Sequence, residues 1–386
     1  MRVLMFCPQF APLIGGAERQ AEKLGMALRT AGVDVRVLTP RLDAESPAHE
    51  VRAGLPVRRF RLSDLSARFP RLRGIGLVNA PWIALQILWQ VWREAGNVDV
   101  VHCHIGSLQT VAAALAARLR GVPAICKAAI ADDRSDLGEA ARAGITGKVV
   151  AWAGKHAFAR WVATTQAVKV ALQRAGVAAE RIIVIPNGVD IVPMPAPMSA
   201  KAARRFLYLG RLSTNIERDV PGLIRAFDAL ADQVADVELA IVGDGDLLNT
   251  TRTQVTQCRH ADRIQVPGIG NSAAWLAWAD CFVLPSRREG LSNALLEAMA
   301  AGLPCIANDI PPNREVLADG EAGMLVPVED VGQLQAAMLK CAMDAEHAAQ
   351  MTRAAYDRIE CWYGMNRVVR QYLFLYRPLF SKSSAL

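Results

Sequence analysis

At 386 residues the chain is long enough for two domains with separate cores, and its 52% hydrophobic and 21% charged residues exclude a generally disordered protein. Eight cysteines lie mostly in apolar contexts with no C-x-x-C pair, which argues for reduced thiols in a cytosolic setting and against a disulfide frame or zinc site. The net charge of +7 is uneven, with Lys and Arg outnumbering Asp and Glu 25 to 15 up to Asp190 and falling behind 19 to 22 after it; no nucleic-acid motif accompanies the basic half, so no nucleic-acid partner is expected.

Arg2–Phe6 reads as a first core strand, too short and too soon followed by Pro8 and Pro12 to be a signal peptide. Beyond a loop with Gly15 and Gly16, Ala17–Thr30 has helical spacing and Val33–Leu38 is a second strand, giving a β-loop-α-β unit. The glycines let the backbone approach a phosphate or sugar closely, with a helix start behind them. The G-x-G-x-x-G spacing is absent, which speaks against a dehydrogenase. Arg52, Arg58, Arg59, Arg61, Arg68, Arg71 and Arg73 crowd one region ahead of an apolar stretch with Trp82, Trp89 and Trp92. Two readings are open for it: docking on an anionic membrane face, or a solvated loop leading into a core-packed helix. Asn79, Pro81, Gln86 and Gln90 argue against a membrane span there. In the alternating strand Asp99–His104, His102 and His104 share a face, with no further ligand nearby to complete a metal site. His104 ends the strand where open α/β sheets present ligands. Lys127 lies in the next strand, Pro123–Ala128, and Asp132, Asp133 and Asp136 follow it without the spacing of a metal-binding acidic motif.

A second series of strands begins at Arg205–Leu209, which runs into Gly210-Arg211-Leu212. It continues with Val237–Val242 ahead of Gly243-Asp244-Gly245, and with Ile264–Ile269 around Gly268. Cys281–Leu284 is a short apolar run that reads as a buried parallel strand, and the loop after it carries Glu289 and Gly290. Ser292 is an N-cap, Asn293–Ala301 a helix containing Glu297, and Gly302 with Pro304 its stop. A helix start after a glycine-containing loop suits a diphosphate, because unpaired N–H groups and the positive end of the dipole converge there. From Ser292 to Glu297 the helix rises only about 7–8 Å, at about 1.5 Å per residue. One carboxylate then holds hydroxyls on each side of a bound diphosphate, the layout of a nucleotide sugar. Cys305–Asn308 and Gly323–Val326 are further strands, and about Met351–Leu379 is a final helical stretch rich in aromatic residues. Strands alternating with helices in both halves predict an α/β fold of two doubly wound parallel sheets.

Pro285-Ser286, Glu289-Gly290-Leu291-Ser292 and Glu297-Ala298-Met299-Ala300-Ala301-Gly302-Leu303-Pro304 together resemble the signature of retaining GT-B glycosyltransferases of the family 4 type (glycosyl transferases group 1), and the resemblance covers nearly the whole chain. It implies two Rossmann-like domains facing across a cleft: residues 1–192 on the acceptor side and 201–362 binding the nucleotide sugar, joined by a proline-rich linker at 193–200. A C-terminal helix over 363–386 either crosses back to the first domain, as in this family, or is an ordinary terminal helix of the second. By the same likeness Gly15 and Gly16 face the donor diphosphate, and Gly268 and Ile269 help cup the base through the main chain. Glu297 would hold the ribose, the backbone around Gly290, Leu291 and Ser292 the diphosphate, and Glu289 the donor sugar. Arg211 would neutralise the leaving group. The lysine that relatives carry five or six residues beyond Gly-Arg-Leu is replaced by Ile216 and Glu217, which leaves Arg218 as the second cation. The histidine of many relatives falls at Ala129, and the acceptor-side candidates are His104, Lys127 and Asp132.

The implied reaction moves a hexose-type sugar from a UDP- or GDP-sugar to a glycan or lipid-linked hydroxyl, with retention and without a metal or other cofactor. Its implied setting is polysaccharide, lipopolysaccharide or glycolipid assembly in the cytoplasm, with peripheral contact to the inner face of the membrane. The missing histidine and displaced lysine keep two alternatives open: a catalytically impaired sugar- or lipid-binding relative, and a sugar-nucleotide epimerase.

Overall fold

Strands buried on both faces need near-continuous apolar runs, and the chain carries these in two sets. The computed structural model describes residues 1–12, 15–69, 75–128, 144–191, 202–214 and 217–381. Internal contacts divide it into two units, Met1–Gly188 joined by the segment from Met365 onward, and Val189–Gly364. The expected linker at 193–200, along with Ala129 and Asp132, lies outside the described residues.

The first unit contains β1 (Arg2–Phe6), β2 (Asp34–Pro40), β3 (His49–Arg52), β4 (Leu55–Phe60), β5 (Val100–His104), β6 (Ala124–Ala128), β7 (Arg160–Ala163) and β8 (Ile182–Val184). Their order is β3-β4-β2-β1-β5-β6-β7-β8, parallel except for the antiparallel β3–β4 pair. Phe6 sits in register between Leu38 of β2 and Cys103 of β5, so the winding reverses between β1 and β5. Helices Ile75–Ala95, Leu108–Leu119, Gly144–Ala157 and Gln166–Arg174 cover the face of Leu4, Phe6, Cys103, Cys126 and Trp161. Gly16–Thr30 and Met365–Ser381 cover the opposite face, against Val3, Met5, Val37, Val100 and Ile125.

The last helical stretch is therefore divided between the units. Ala345–Arg358 and the π-helical turn Ile359–Tyr363 belong to the second, while Met365–Ser381 packs in the first. Gly188 is needed at the return point, where an added Cβ would lie 2.7 Å from the Met365 sulfur and 3.1 Å from its Cα. Tyr372 and Tyr376 of the returning helix are fully buried, and each such side chain contributes about 1.5–3 kcal/mol of burial.

The arginine-rich region differs from a simple basic surface. Arg59 is buried and bonds Glu50 at 2.6 Å, Arg52 pairs with Glu22 at 3.0 Å, and Arg58 pairs with Glu94. Glu50 comes from β3 and Glu22 and Glu94 from helices Gly16–Thr30 and Ile75–Ala95, so three of the expected cations are neutralised internally; Arg61 and Arg68 stay exposed. Among the described residues no helix is long and apolar enough to cross a membrane.

The second unit contains β9 (Arg205–Leu209), β10 (Glu238–Val242), β11 (Ile264–Gly268), β12 (Cys281–Leu284), β13 (Cys305–Asn308) and β14 (Met324–Val326). All run parallel in the order β11-β10-β9-β12-β13-β14. From central β9 the chain first winds outward through β10 and β11, then returns to β12 on the other side. The crevice outside the carboxyl ends of β9 and β12 is the position where such sheets bind ligands.

Candidate active site

A short strand-like pairing positions the key arginine at that crevice. Asp219 N donates to Pro285 O at 2.7 Å and Arg287 N to Glu217 O at 2.8 Å, with Arg218 opposite Ser286 between them. Asp219 then caps helix Val220–Ala231 by accepting from Gly222 N at 3.0 Å. The pairing carries Arg218 to Glu289: Nη2 lies 2.7 Å from Oε1, and Ser286 Oγ donates to the same oxygen at 3.0 Å. Nη1 of Arg218 donates to the Tyr208 hydroxyl at 3.5 Å, which donates in turn to the Arg211 carbonyl at 3.1 Å.

Burial works against charge on Arg218, but the Glu289 carboxylate, followed by Tyr208, holds its guanidinium above the ordinary value. A buried ion pair is weak evidence for stability, since desolvation costs about as much as the attraction returns. What the pair does provide is a charge fixed in place before any ligand arrives.

Glycines make the remaining wall thin. A Cβ at Gly210 would collide with Arg218 Nη1 and lie 2.8 Å from the Tyr208 hydroxyl; one at Gly243 would strike the Gly210 carbonyl, and one at Gly245 the Leu212 carbonyl. Hydrogen bonds from Gly210 N to Val242 O at 3.0 Å and Gly243 N to Gly268 O at 2.9 Å join the carboxyl ends of β9, β10 and β11. Gly268 adopts φ +90°, a left-handed conformation suited to glycine, and Ile269 beyond it is exposed. Asp246 accepts from Ser213 and Thr214, which hold its carboxyl down to about 2 and order the loop after Arg211.

On the other side of the crevice, Ser292 accepts from Leu295 N at 3.4 Å and caps helix Asn293–Ala300. Gly290, Leu291 and Ser292 are buried ahead of that helix, and Glu297 is half-buried one turn within it. The second unit thus gathers Arg211, Arg218, Glu289, Gly290, Leu291, Ser292 and Glu297 on segments that follow β9 and β12, with Gly268 and Ile269 at the end of β11. Tyr208 and Ser286 were missed by sequence reasoning. The available signal for Tyr208 was a phenol on a buried strand, whose hydroxyl requires a partner.

The remaining candidates lie in the first unit. Gly15 precedes helix Gly16–Thr30, whose first turn has no side-chain cap. His104 and Lys127 sit near the carboxyl ends of β5 and β6, buried beneath the returning helix. His102 and His104 stack with centroids 4.4 Å apart, His102 Nδ1 lies 2.8 Å from the Tyr376 hydroxyl, and Lys127 Nζ is 6.0 Å from the Tyr372 ring. Burial, then the Lys127 charge, pushes His104 down to about 3, and burial brings Lys127 down to about 7.

Residues 203–344 match the family described as "Glycosyl transferases group 1", and residues 14–192 match "Glycosyltransferase Family 4". The chain is 26% identical over 365 residues to the "Phosphatidyl-myo-inositol mannosyltransferase" of Mycolicibacterium smegmatis, covering 93% of this chain and 89% of that relative. It is 26% identical over 387 residues to the "GDP-mannose:cellobiosyl-diphosphopolyprenol alpha-mannosyltransferase" of Xanthomonas oryzae pv. oryzae, covering 97% and 96%. The crystal structure of Anabaena Alr3699/HepE in complex with UDP shares the fold, with a TM-score of 0.76 and 20% identity over 97% of this chain and 99% of that one.

Proposed function

Because this chain belongs to the GT-B glycosyltransferases of the group 1 and family 4 type, we propose that it moves a hexose-type sugar from a UDP- or GDP-sugar to a lipid-linked or glycan hydroxyl, with retention at the anomeric carbon. The observation that carries this reading is the largely buried Arg218–Glu289 pair between the carboxyl ends of β9 and β12. Glu297 binds the ribose, the N–H groups of Leu291 and Ser292 receive the diphosphate, and Glu289 orients the hexose through its hydroxyls. Gly268 and Ile269 lie along the base.

In this scheme the acceptor oxygen attacks the anomeric carbon on the face that the diphosphate leaves. The bond from that carbon to the phosphate oxygen breaks, its electron pair stays on the phosphate, and the acceptor proton passes to the departing phosphate. Arg211 and Arg218 offset the charge that grows there, so orientation and fixed cations supply the catalysis without a metal. The acceptor side falls to the first unit, with His104 and Lys127 as its groups.

The names of both mannosyltransferase relatives describe lipid-borne acceptors, which favours a lipid-linked acceptor here. An exposed apolar row supports peripheral contact with a membrane. Val78, Trp82, Leu85 and Trp89, each 38–57% exposed, recur along one face of helix Ile75–Ala95. The setting that fits is glycolipid or polysaccharide assembly at the inner face of the membrane.

The reaction is tested by incubating the protein with UDP- and GDP-hexoses and reading the anomeric configuration of the first transferred or released sugar by NMR. Retention with stoichiometric nucleoside diphosphate supports the scheme. An inverted first product, or epimerised intact donor, contradicts it.

A further inference from the structure

At the edge of the first unit opposite to its ligand-binding strand ends, a groove of about 1240 Å³ runs past the amino ends of β6 and β7, along β8, and beneath helix Met365–Ser381. Six arginines line it: Arg118, Arg120, Arg160, Arg181, Arg367 and Arg370. Among the described residues, no aspartate or glutamate does. Arg160 and Arg181 donate to the Ala159 and Lys155 carbonyls at 2.8 and 3.4 Å, contacts that leave their charge uncompensated. Among the described residues, Arg118, Arg120, Arg160, Arg181 and Arg370 form no ion pair. The floor is apolar, built from Phe158, Ile185 and Leu375, and Phe374 stands on the lining with 78% of its surface exposed.

The groove also joins the exposed aromatic surface. Arg120 donates to the Trp92 carbonyl at 3.1 Å and sits 3.5 Å over the Trp92 ring, which stacks on Trp89 at 5.4 Å. Trp89 belongs to the exposed apolar row. On the neighbouring helix the His156 ring, which lines the groove, lies 5.1 Å from Trp152, itself 64% exposed. Trp89 and Trp152 are exposed aromatic residues of the kind that sit at headgroup level, where lipid phosphates also lie.

We propose that this groove binds the headgroup of an anionic phospholipid and so anchors the first unit on an anionic bilayer. The proposal rests on the membrane reading of the function and specifies its lipid chemistry. The arginines receive the phosphate, while the apolar floor and Phe374 accept the glycerol and the first acyl carbons. Neither role uses the residues assigned to sugar transfer.

The test is co-sedimentation of the whole protein with vesicles of phosphatidylcholine alone and of phosphatidylcholine with phosphatidylglycerol. It uses the parent, the double variant Arg118→Glu with Arg370→Glu, and the milder Arg118→Gln with Arg370→Gln; both positions are exposed, and unfolding midpoints verify that each variant is folded. The expected result is at least tenfold tighter binding to the anionic vesicles, lost at least tenfold in the Glu variant and in part in the Gln variant, with nucleotide-induced thermal stabilisation unchanged. Anionic-vesicle binding that both folded variants retain would overturn the groove proposal while leaving the membrane reading standing. Binding to heparin without binding to any vesicle would overturn both. Loss of the nucleotide response in the parent protein would instead count against the transferase reading.

Discussion

Arg218 Nη2 lies 2.7 Å from Glu289 Oε1, and the two side chains retain only 12% and 13% of their exposure. The contact joins residues on opposite sides of the switch point of the second sheet. Ser286 donates to the same carboxylate oxygen, so both contacts converge on Oε1. Glu289 therefore serves Arg218 through one oxygen, which in the proposed scheme leaves the other to the sugar.

Glu289→Gln tests that division of roles. The amide keeps the shape but leaves Arg218 buried beside a neutral partner, a loss of about 1–3 kcal/mol in stability. Transfer is expected to fall by about a hundredfold or more, while nucleotide affinity changes by less than about threefold. Full activity in the folded variant would remove Glu289 from the site.

Gly210→Ala drives a methyl group into the Arg218 guanidinium and toward the hydroxyl of the fully buried Tyr208. The expected outcome is a cost of about 1–3 kcal/mol together with a fall in kcat that exceeds the change in KM, because the cation is displaced. A variant with parental kcat would show that Arg218 tolerates displacement, and with it that its position is unimportant.

Lys127 gives a pH signature. Its ordinary value of 10.5 drops to about 7 on burial, so between these values the unfolded chain binds more protons than the folded one. Stability then rises with pH across that window and is lowest below it. His104, lowered from 6.5 to about 3, adds a further loss on acidification between those values. Lys127→Met should stabilise the protein by about 1–3 kcal/mol near pH 7 and flatten the slope between pH 7 and 10. Urea titrations at a series of pH values measure both, and an unchanged slope would contradict the assignment.

The strand, loop and helix around Glu289 were legible in the sequence because each signal is local. Cys281–Leu284 forms as read, and the helix read at Asn293–Ala301 forms over Asn293–Ala300 behind its Ser292 cap. Arg218 was visible only as a cation displaced from the usual spacing. What positions it is pairing with Ser286, a contact between distant segments that no local pattern encodes. The same limit hid Tyr376, which reaches His102 across 274 residues and roofs a strand whose alternation suggested an open ligand-facing edge. The β3–β4 pair was hidden as well, and with it the Glu50 carboxylate that pairs with Arg59.

The central claim is that the crevice around Arg218 and Glu289 holds a nucleotide diphosphate. Its most direct test is thermal unfolding of the parent and of Arg218→Met in a panel of UDP, GDP, ADP and TDP. One nucleotide should raise the midpoint of the parent by several degrees, and the shift should shrink by at least half in the variant. No shift from any nucleotide in the folded parent, or an equal shift in both proteins, would contradict the account.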